Sequence, residues 1–293
     1  MSTSLRLYDD ETVKFTYGGE RYCVHVYNDE CPDDPRSWDT PFSTMACFHH
    51  RYRLGDDIGT SDPEEFWRGL VSEHMMGVDL VDAVRNDEVD GIRIEPIKDD
   101  PERVNLMTRW SFRGDERWGC DVIDNDPYDL SSEILSNLTI YNCQQLLEPY
   151  LEWLPLWLYD HSGITMSCGA RSYPYNDAWD SGCVGWIIMT KETALKERIG
   201  CCDESNWREI AIADMKAEVA LYDQYLTGDV YGYTLLKEED GEWVEQDSCW
   251  GFYGDDVMAN GISDNVPGLA AAVESDQYET GTATRHVAVS YSY

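Results

Sequence analysis

The sequence predicts an α+β fold, a largely antiparallel sheet packed by two or three helices. Three observations carry this. Hairpin signals join neighbouring β-rich runs at Gly18-Gly19 and again across Glu238 to Gly241. Two windows of helical period, 131–150 and 204–226, stand between blocks of strands. Strands and helices do not alternate one by one, as a parallel βαβ winding would require.

Taken in order, "VKFTYGGERYCVHVY" (13–27) is a hairpin, and residues 29–41, with three prolines and several acids, are a loop. "FSTMACFHHRY" (42–52) reads as a strand. "SDPEEFWRGLVSEHMM" (61–76) reads as a helix with Ser61 as N-cap and Glu64 closing a capping box, turning Phe66, Leu70 and Val71 inward. Residues 91–122 form short strands with turns at Asp99-Asp100-Pro101 and Arg113-Gly114-Asp115. Helical period returns over 131–150, with Ile134, Leu138, Tyr141 and Leu146 on one face. "LPLWLYD" (154–160) and "GITMSCG" (163–169) are a buried strand pair about His161-Ser162-Gly163, and "GCVGWIIMT" (182–190) is a third buried strand. The longest helix, 204–226, ends at Gly228. "DVYGYTLL" and "EWVEQDSC" pair as a hairpin. Val266 to Glu274 is a short helix, and the alternation in "TRHVAVSYSY" marks a final strand. The expectation is a single domain over 1–293, with a weak boundary near 124–130.

Charge dominates the composition. The formal net charge is -35, from 57 acids and 22 bases. It divides evenly, -18 over residues 1–150 and -17 over 151–293, and lysines number six against sixteen arginines. Three readings fit: a surface adapted to high salt, a decoy imitating the phosphate backbone, or a surface for a basic protein partner. With no basic stripe, direct nucleic-acid binding is not expected. No run of about 18 apolar residues predicts a membrane span. The N-terminus "MSTSLRLYDDE" has no apolar leader, so a cytoplasmic location is expected. The ten cysteines include no C-x-x-C pair, and Cys23, Cys143 and Cys183 read as small core residues.

Four constellations could carry chemistry. Cys249, His161 and either Asp160 or Asp180 supply a thiolate, a base and an orienting carboxylate for a hydrolase or transferase; the same residue types also serve core and turns. Asp160 and Asp180 could act as paired carboxylates, or simply cap their turns. Cys23 and His25 share a strand face, as do Cys47 and His49, and the four could approach zinc geometry if the strands paired. That spacing equally suits an exposed sheet face, so no metal and no cofactor are expected. Tryptophans 153, 157, 179, 186, 243 and 250 gather near the later blocks, where Trp179, Ser181, Trp250 and Tyr253 are the candidate binding residues, though a tryptophan-rich core explains much of the same content. No G-x-G-x-x-G, Walker loop, H-E-x-x-H or EF-hand spacing occurs.

Five blocks appear together in order: "MACFHHRYRLGDD" (45–57), "YDHSGITM" (159–166), "WDSGCVGWI" (179–187), "YDQYLTGDVYGY" (222–233) and "DSCWGFYG" (247–254). This pattern resembles an uncharacterised family of proteins from tailed phages, prophages and related mobile elements. Cys183 stands where that family tends to have glutamine. The resemblance spans most of 45–254, and it implies a mobile-element setting in a microbial host without implying an activity. The Asp-rich, Lys-poor composition suits a halophilic host. The leading expectation is a non-enzymatic accessory protein that binds a host or viral protein and inhibits a nucleic-acid-targeting defence system, as an acidic mimic of DNA or otherwise. The cysteine-dependent enzyme and a virion component are the alternatives. The three turns "YDHSG", "WDSGC" and "DSCWG" pose the structural question: whether they meet.

Overall fold

A computed structural model describes residues 4–169 and 180–283. The first hairpin forms as its sequence predicts. β1 (Glu11–Tyr17) and β2 (Glu20–Asn28) flank Gly18 and Gly19, both at positive φ, which the tight antiparallel turn requires. A single 3-10 turn (Pro35–Ser37) interrupts the acidic loop, and the strand expected over 42–52 shortens to β3 (Thr44–Cys47).

Helix α1 (Pro63–His74) is capped by Asp62 rather than Ser61, since the Asp62 carboxylate accepts the Glu64 amide at 2.9 Å. Val71 is fully buried as expected, Trp67 is fully buried beside it, and Phe66 and Leu70 are half-buried. A second helix, α2 (Val78–Arg85), has no side-chain cap and so no start signal in the sequence; Leu80, Val81, Ala83 and Val84 hold it by burial. The strands β4 (Ile92–Ile97), β5 (Asp100–Phe112) and β6 (Asp115–Asp124) form a meander. Arg113-Gly114 turns as expected, but the first turn falls at Lys98-Asp99, with Asp100 and Pro101 already in β5, and β5 and β6 are long rather than short.

The helix expected over 131–150 is two helices, α3 (Pro127–Asn137) and α4 (Ile140–Leu147). Leu138 is extended between them, and Thr139 opens a capping box with Asn142 that restarts the helix on a new axis. Tyr141 therefore points outward, 60% exposed, against the expected inward face. Next come β7 (Leu151–Asp160), β8 (Ile164–Cys168) and β9 (Ser181–Thr190), then α5 (Lys191–Glu197), which Thr190 caps. Helix α6 (Trp207–Thr227) ends at Gly228 in the left-handed conformation, as the sequence predicts. β10 (Val230–Glu239) and β11 (Glu242–Tyr253) form the expected hairpin. The helix expected over 266–274 begins only after Gly268: α7 (Ile262–Asn265) precedes it and α8 (Leu269–Glu274) follows. β12 (Tyr278–Thr282) closes the described chain, and the strand expected over 284–293 lies outside the described residues.

The fold is α+β and, among the described residues, every strand pair is antiparallel, but one sheet becomes three, of order β11-β10-β2-β1-β12, β3-β9-β7-β8 and β4-β5-β6. Among the described residues eight helices, not two or three, accompany them. The four-stranded sheet is buried on both faces. Leu156, Leu158, Ile187 and Met189 pack with α6, while Trp153, Trp186 and Ile188 join Trp67 on α1. Burial on two sides explains why β7 and β9 are apolar runs rather than alternating ones. β3 approaches β9 so closely that a Cβ on Gly185 would lie 1.9 Å from the Ala46 carbonyl oxygen.

Candidate functional site

The end of β7 and the start of β9 lie side by side, and this brings two of the three turns together. The Asp160 amide donates to the Asp180 carbonyl at 2.7 Å, and Tyr159 pairs with Ser181 in the ladder. The turn after β7 is tight because Ser162 adopts a positive φ of 60° and the His161 amide bonds the Gly163 carbonyl. His161 then faces Asp180, with Nδ1 2.8 Å from Oδ2. Asp180 thus fixes one ring nitrogen and leaves Nε2 facing solvent on a side chain that is 61% exposed.

A third segment, the loop from β3 to α1, completes the cluster. The Tyr52 hydroxyl donates to Asp160 Oδ1 at 3.2 Å, and Arg51 reaches Asp160 Oδ2 at 3.3 Å. The His49 ring stacks on Tyr52 with centroids 5.0 Å apart, and His49 Nδ1 accepts the amides of Arg51 and Tyr52. Burial, with the neighbouring His50 charge next, pushes the His49 pKa below its ordinary value. The loop encloses an open polar cleft of about 520 Å³ lined by Cys47, the two histidines, Arg51, Tyr52 and Arg53. Three of the chain's six histidines thus lie along one edge of the four-stranded sheet. The pairing of Asp160 with Arg51 and Tyr52 is not legible in the sequence. The local signal was "HHRYR" at 49–53, a run of basic and titratable groups in a strongly acidic chain.

Cys249 stands apart from this cluster. "DSCWG" is not a turn but the interior of β11, where Cys249 pairs with Tyr233 in the five-stranded sheet. Its Sγ contacts the Trp250 carbonyl oxygen at 3.7 Å. The expected Cys249–His161 set is thus divided between two sheets. The zinc arrangement fails for the same reason: β2, with Cys23 and His25, pairs with β1 and β10, whereas β3, with Cys47, pairs with β9. Among the described residues no group of three or more His, Cys, Asp or Glu side chains could hold a metal ion. Burial raises the Cys47 thiol to about 12, leaving it protonated at neutral pH. Cys23 and Cys143 are buried as expected, but Cys183 is exposed on β9.

The aromatic candidates do not form one cluster. Trp179 lies outside the described residues. Ser181 is the first residue of β9, beside the His161 turn. Trp250 is 51% exposed and lies flat over Gly232, whose Cβ position its ring occupies. Tyr253 meets Trp38 edge-to-face at 5.3 Å and donates its hydroxyl to the Asp33 carbonyl. Burial, then the charges of Asp33, Asp29 and Asp34, raises the Tyr253 phenol to about 12. An exposed indole against a tyrosine, ringed by carboxylates, suits an incoming cation: the ring faces attract it and the acids lower its energy further.

Of the tryptophans grouped by sequence, Trp153 and Trp186 pack edge-to-face on the fully buried Trp67 and belong to the core. No helix among the described residues is long and apolar enough to cross a membrane. No protein-family model matches this chain, and neither the curated proteins nor the solved structures compared with it contain a significant match.

Proposed function

We propose that the protein acts by binding a basic protein, as an accessory protein of a virus or mobile element in the cytoplasm of its host. Its partner, on this reading, is a host nucleic-acid-targeting defence protein whose Lys and Arg side chains normally meet phosphates. The observation that carries the reading is the Trp38–Tyr253 pair beside Asp29, Asp33 and Asp34, on a chain of net charge -35. Guanidinium or ammonium groups over those rings, within reach of the carboxylates, gain both cation–π and ionic attraction. The even spread of acid supplies long-range steering, and the aromatic pair supplies a local anchor.

Affinity capture from host extract, with the wild-type chain beside Trp38→Ala, tests this. The expected result is a nucleic-acid-binding protein that the wild type retains, that added DNA displaces, and that Trp38→Ala retains at least about tenfold less well, as for loss of an interface anchor. A wild-type chain that retains no protein lost from the variant would overturn the reading.

A second reading rests on the 2.8 Å contact between His161 and Asp180. A histidine so oriented can serve as a general base through Nε2, with Asp160 alongside, in a hydrolase or transferase that does not use Cys249. If so, His161→Gln lowers turnover of an ester or phosphoester substrate by about 10²–10⁴-fold. Equal turnover by wild type and variant across a substrate panel removes it.

A further inference from the structure

A long regular sheet edge is a template for another strand, and folded proteins usually blunt such edges. Most edges here are blunted. β3 has four residues, and β8 and β12 have five each. β4 carries Pro96 with a register shift beside it, and the ladder of β11 with β10 has two shifts. β6 has none of these devices, and only its charges (Asp115, Glu116, Arg117, Asp121 and Asp124) guard it. Its ten residues pair with β5 in unbroken register, from Arg103 opposite Asp124 to Phe112 opposite Asp115. It contains no proline and no lysine, most of its residues are exposed, and among the described residues no strand pairs with its outer side.

We propose that β6 pairs antiparallel with β6 of a second copy, merging two three-stranded sheets into one of six strands. Symmetry limits the register. Residues directly opposite each other share a sheet face, so a two-fold axis must pass where one residue faces its own copy. Centred on Trp118, Asp115 would meet Asp121; centred on Cys120, Glu116 would meet Asp124. Centred on Arg117 or Asp121, that charged residue would meet itself. Centred on Gly119, Arg117 lies opposite Asp121 twice, Trp118 opposite Cys120, Glu116 opposite Val122 and Asp115 opposite Ile123. Of these five centres, Gly119 alone opposes unlike charges and opposes no like ones, the arrangement that favours cross-strand pairing. It also covers Trp118 and Val122, which are otherwise exposed, and it places Gly119, with no side chain, at the axis.

The net charge of the chain opposes association. Salt at about 0.15 M shortens the screening length to about 8 Å, so repulsion between the two chains as wholes falls while charges opposed across one strand spacing of about 4.8 Å still interact. The surface is separate from the Trp38–Tyr253 cluster, and either proposal can fail alone.

Sedimentation velocity in about 0.15 M salt, over a range of concentrations, tests the register. The wild type is expected to dimerise. Arg117→Asp and Asp121→Arg each place like charges opposite at two symmetric positions and weaken the dimer at least about tenfold. The double variant R117D/D121R restores it. A wild type that stays monomeric, single variants that dimerise as well as the wild type, or a double variant as weak as the singles would each overturn the proposal.

Discussion

The Tyr52 hydroxyl bonds Asp160 across 108 residues of sequence, at 3.2 Å. It ties the loop that carries His49 and His50 to the turn that carries His161. Tyr52→Phe keeps the ring on His49 and removes only this bond. The expected cost is about 1 kcal/mol in urea unfolding, because Arg51 remains to satisfy Asp160. The His49 ring resonances should shift as well. Unchanged resonances would mean that the bond does not position the loop.

Arg36 is nearly buried and holds three segments together. Its guanidinium makes two bonds to Asp56, at 2.9 and 2.7 Å, one to Glu218 on α6 and one to the Ser43 carbonyl. Burial works against its charge, but the bonds to Asp56 and then Glu218 outweigh it and raise its pKa. Arg36→Leu leaves two carboxylates facing each other without a counter-ion and should cost about 3–5 kcal/mol in chemical denaturation. A loss under about 1 kcal/mol, the range of a surface pair, would show that the network is solvated and structurally minor.

His49 makes the loop sensitive to acid. Its pKa is lowered in the folded chain, so the unfolded chain binds the extra proton first as pH falls. The contribution of His49 is therefore present above the ordinary histidine pKa of about 6.5 and is lost as pH falls through its lower folded value. Protonation also places a hydrogen on Nδ1, which accepts two backbone amides. His49→Asn keeps an acceptor and does not titrate. Melting temperatures measured from pH 7 to about pH 4.5 should decline less steeply in this variant than in the wild type. Parallel profiles would remove His49 as the cause.

Gly232 seats Trp250, whose ring would lie 2.4 Å from an added Cβ. Gly232→Ala should lift the indole from the sheet face and red-shift its fluorescence, with a stability change of about 1–3 kcal/mol for the overpacked contact. If Trp250 contributes to partner binding alongside Trp38 and Tyr253, this variant weakens capture without touching an acidic residue. An unaltered emission spectrum would show that the ring moves aside at no cost.

The legible parts of the fold are those whose signals are local. Gly18-Gly19 and Glu238 to Gly241 specified their hairpins because turn chemistry acts within a few residues. Gly228 specified the end of α6 for the same reason. The illegible parts depended on long-range packing. α2 has no cap, and it is helical because four of its side chains enter a core built from α1, α3 and α4. The break at Leu138 competes with an uninterrupted helical period, and Thr139 with Asn142 wins it locally. In the site, "YDHSG" and "WDSGC" could be recognised as turns, yet their contact required β7 and β9 to be neighbours. "DSCWG" reads in the sequence as a companion turn but is a strand of another sheet, since a bulged ladder with β10 accommodates its glycine.

By itself the sequence determined the fold class, most element positions, the acidic surface and the residue types available for chemistry. These follow from periodicity, turn residues and charge, which act along the chain. The tertiary structure decided which of those residues share a site. It placed His161 on Asp180 and Tyr52 on Asp160, moved Cys249 to a different sheet, brought Trp38 to Tyr253 and, among the described residues, left β6 as an open edge. The physical reason is that strand order, once burial of both faces of the four-stranded sheet fixes it, sets distances between segments that sequence spacing does not encode.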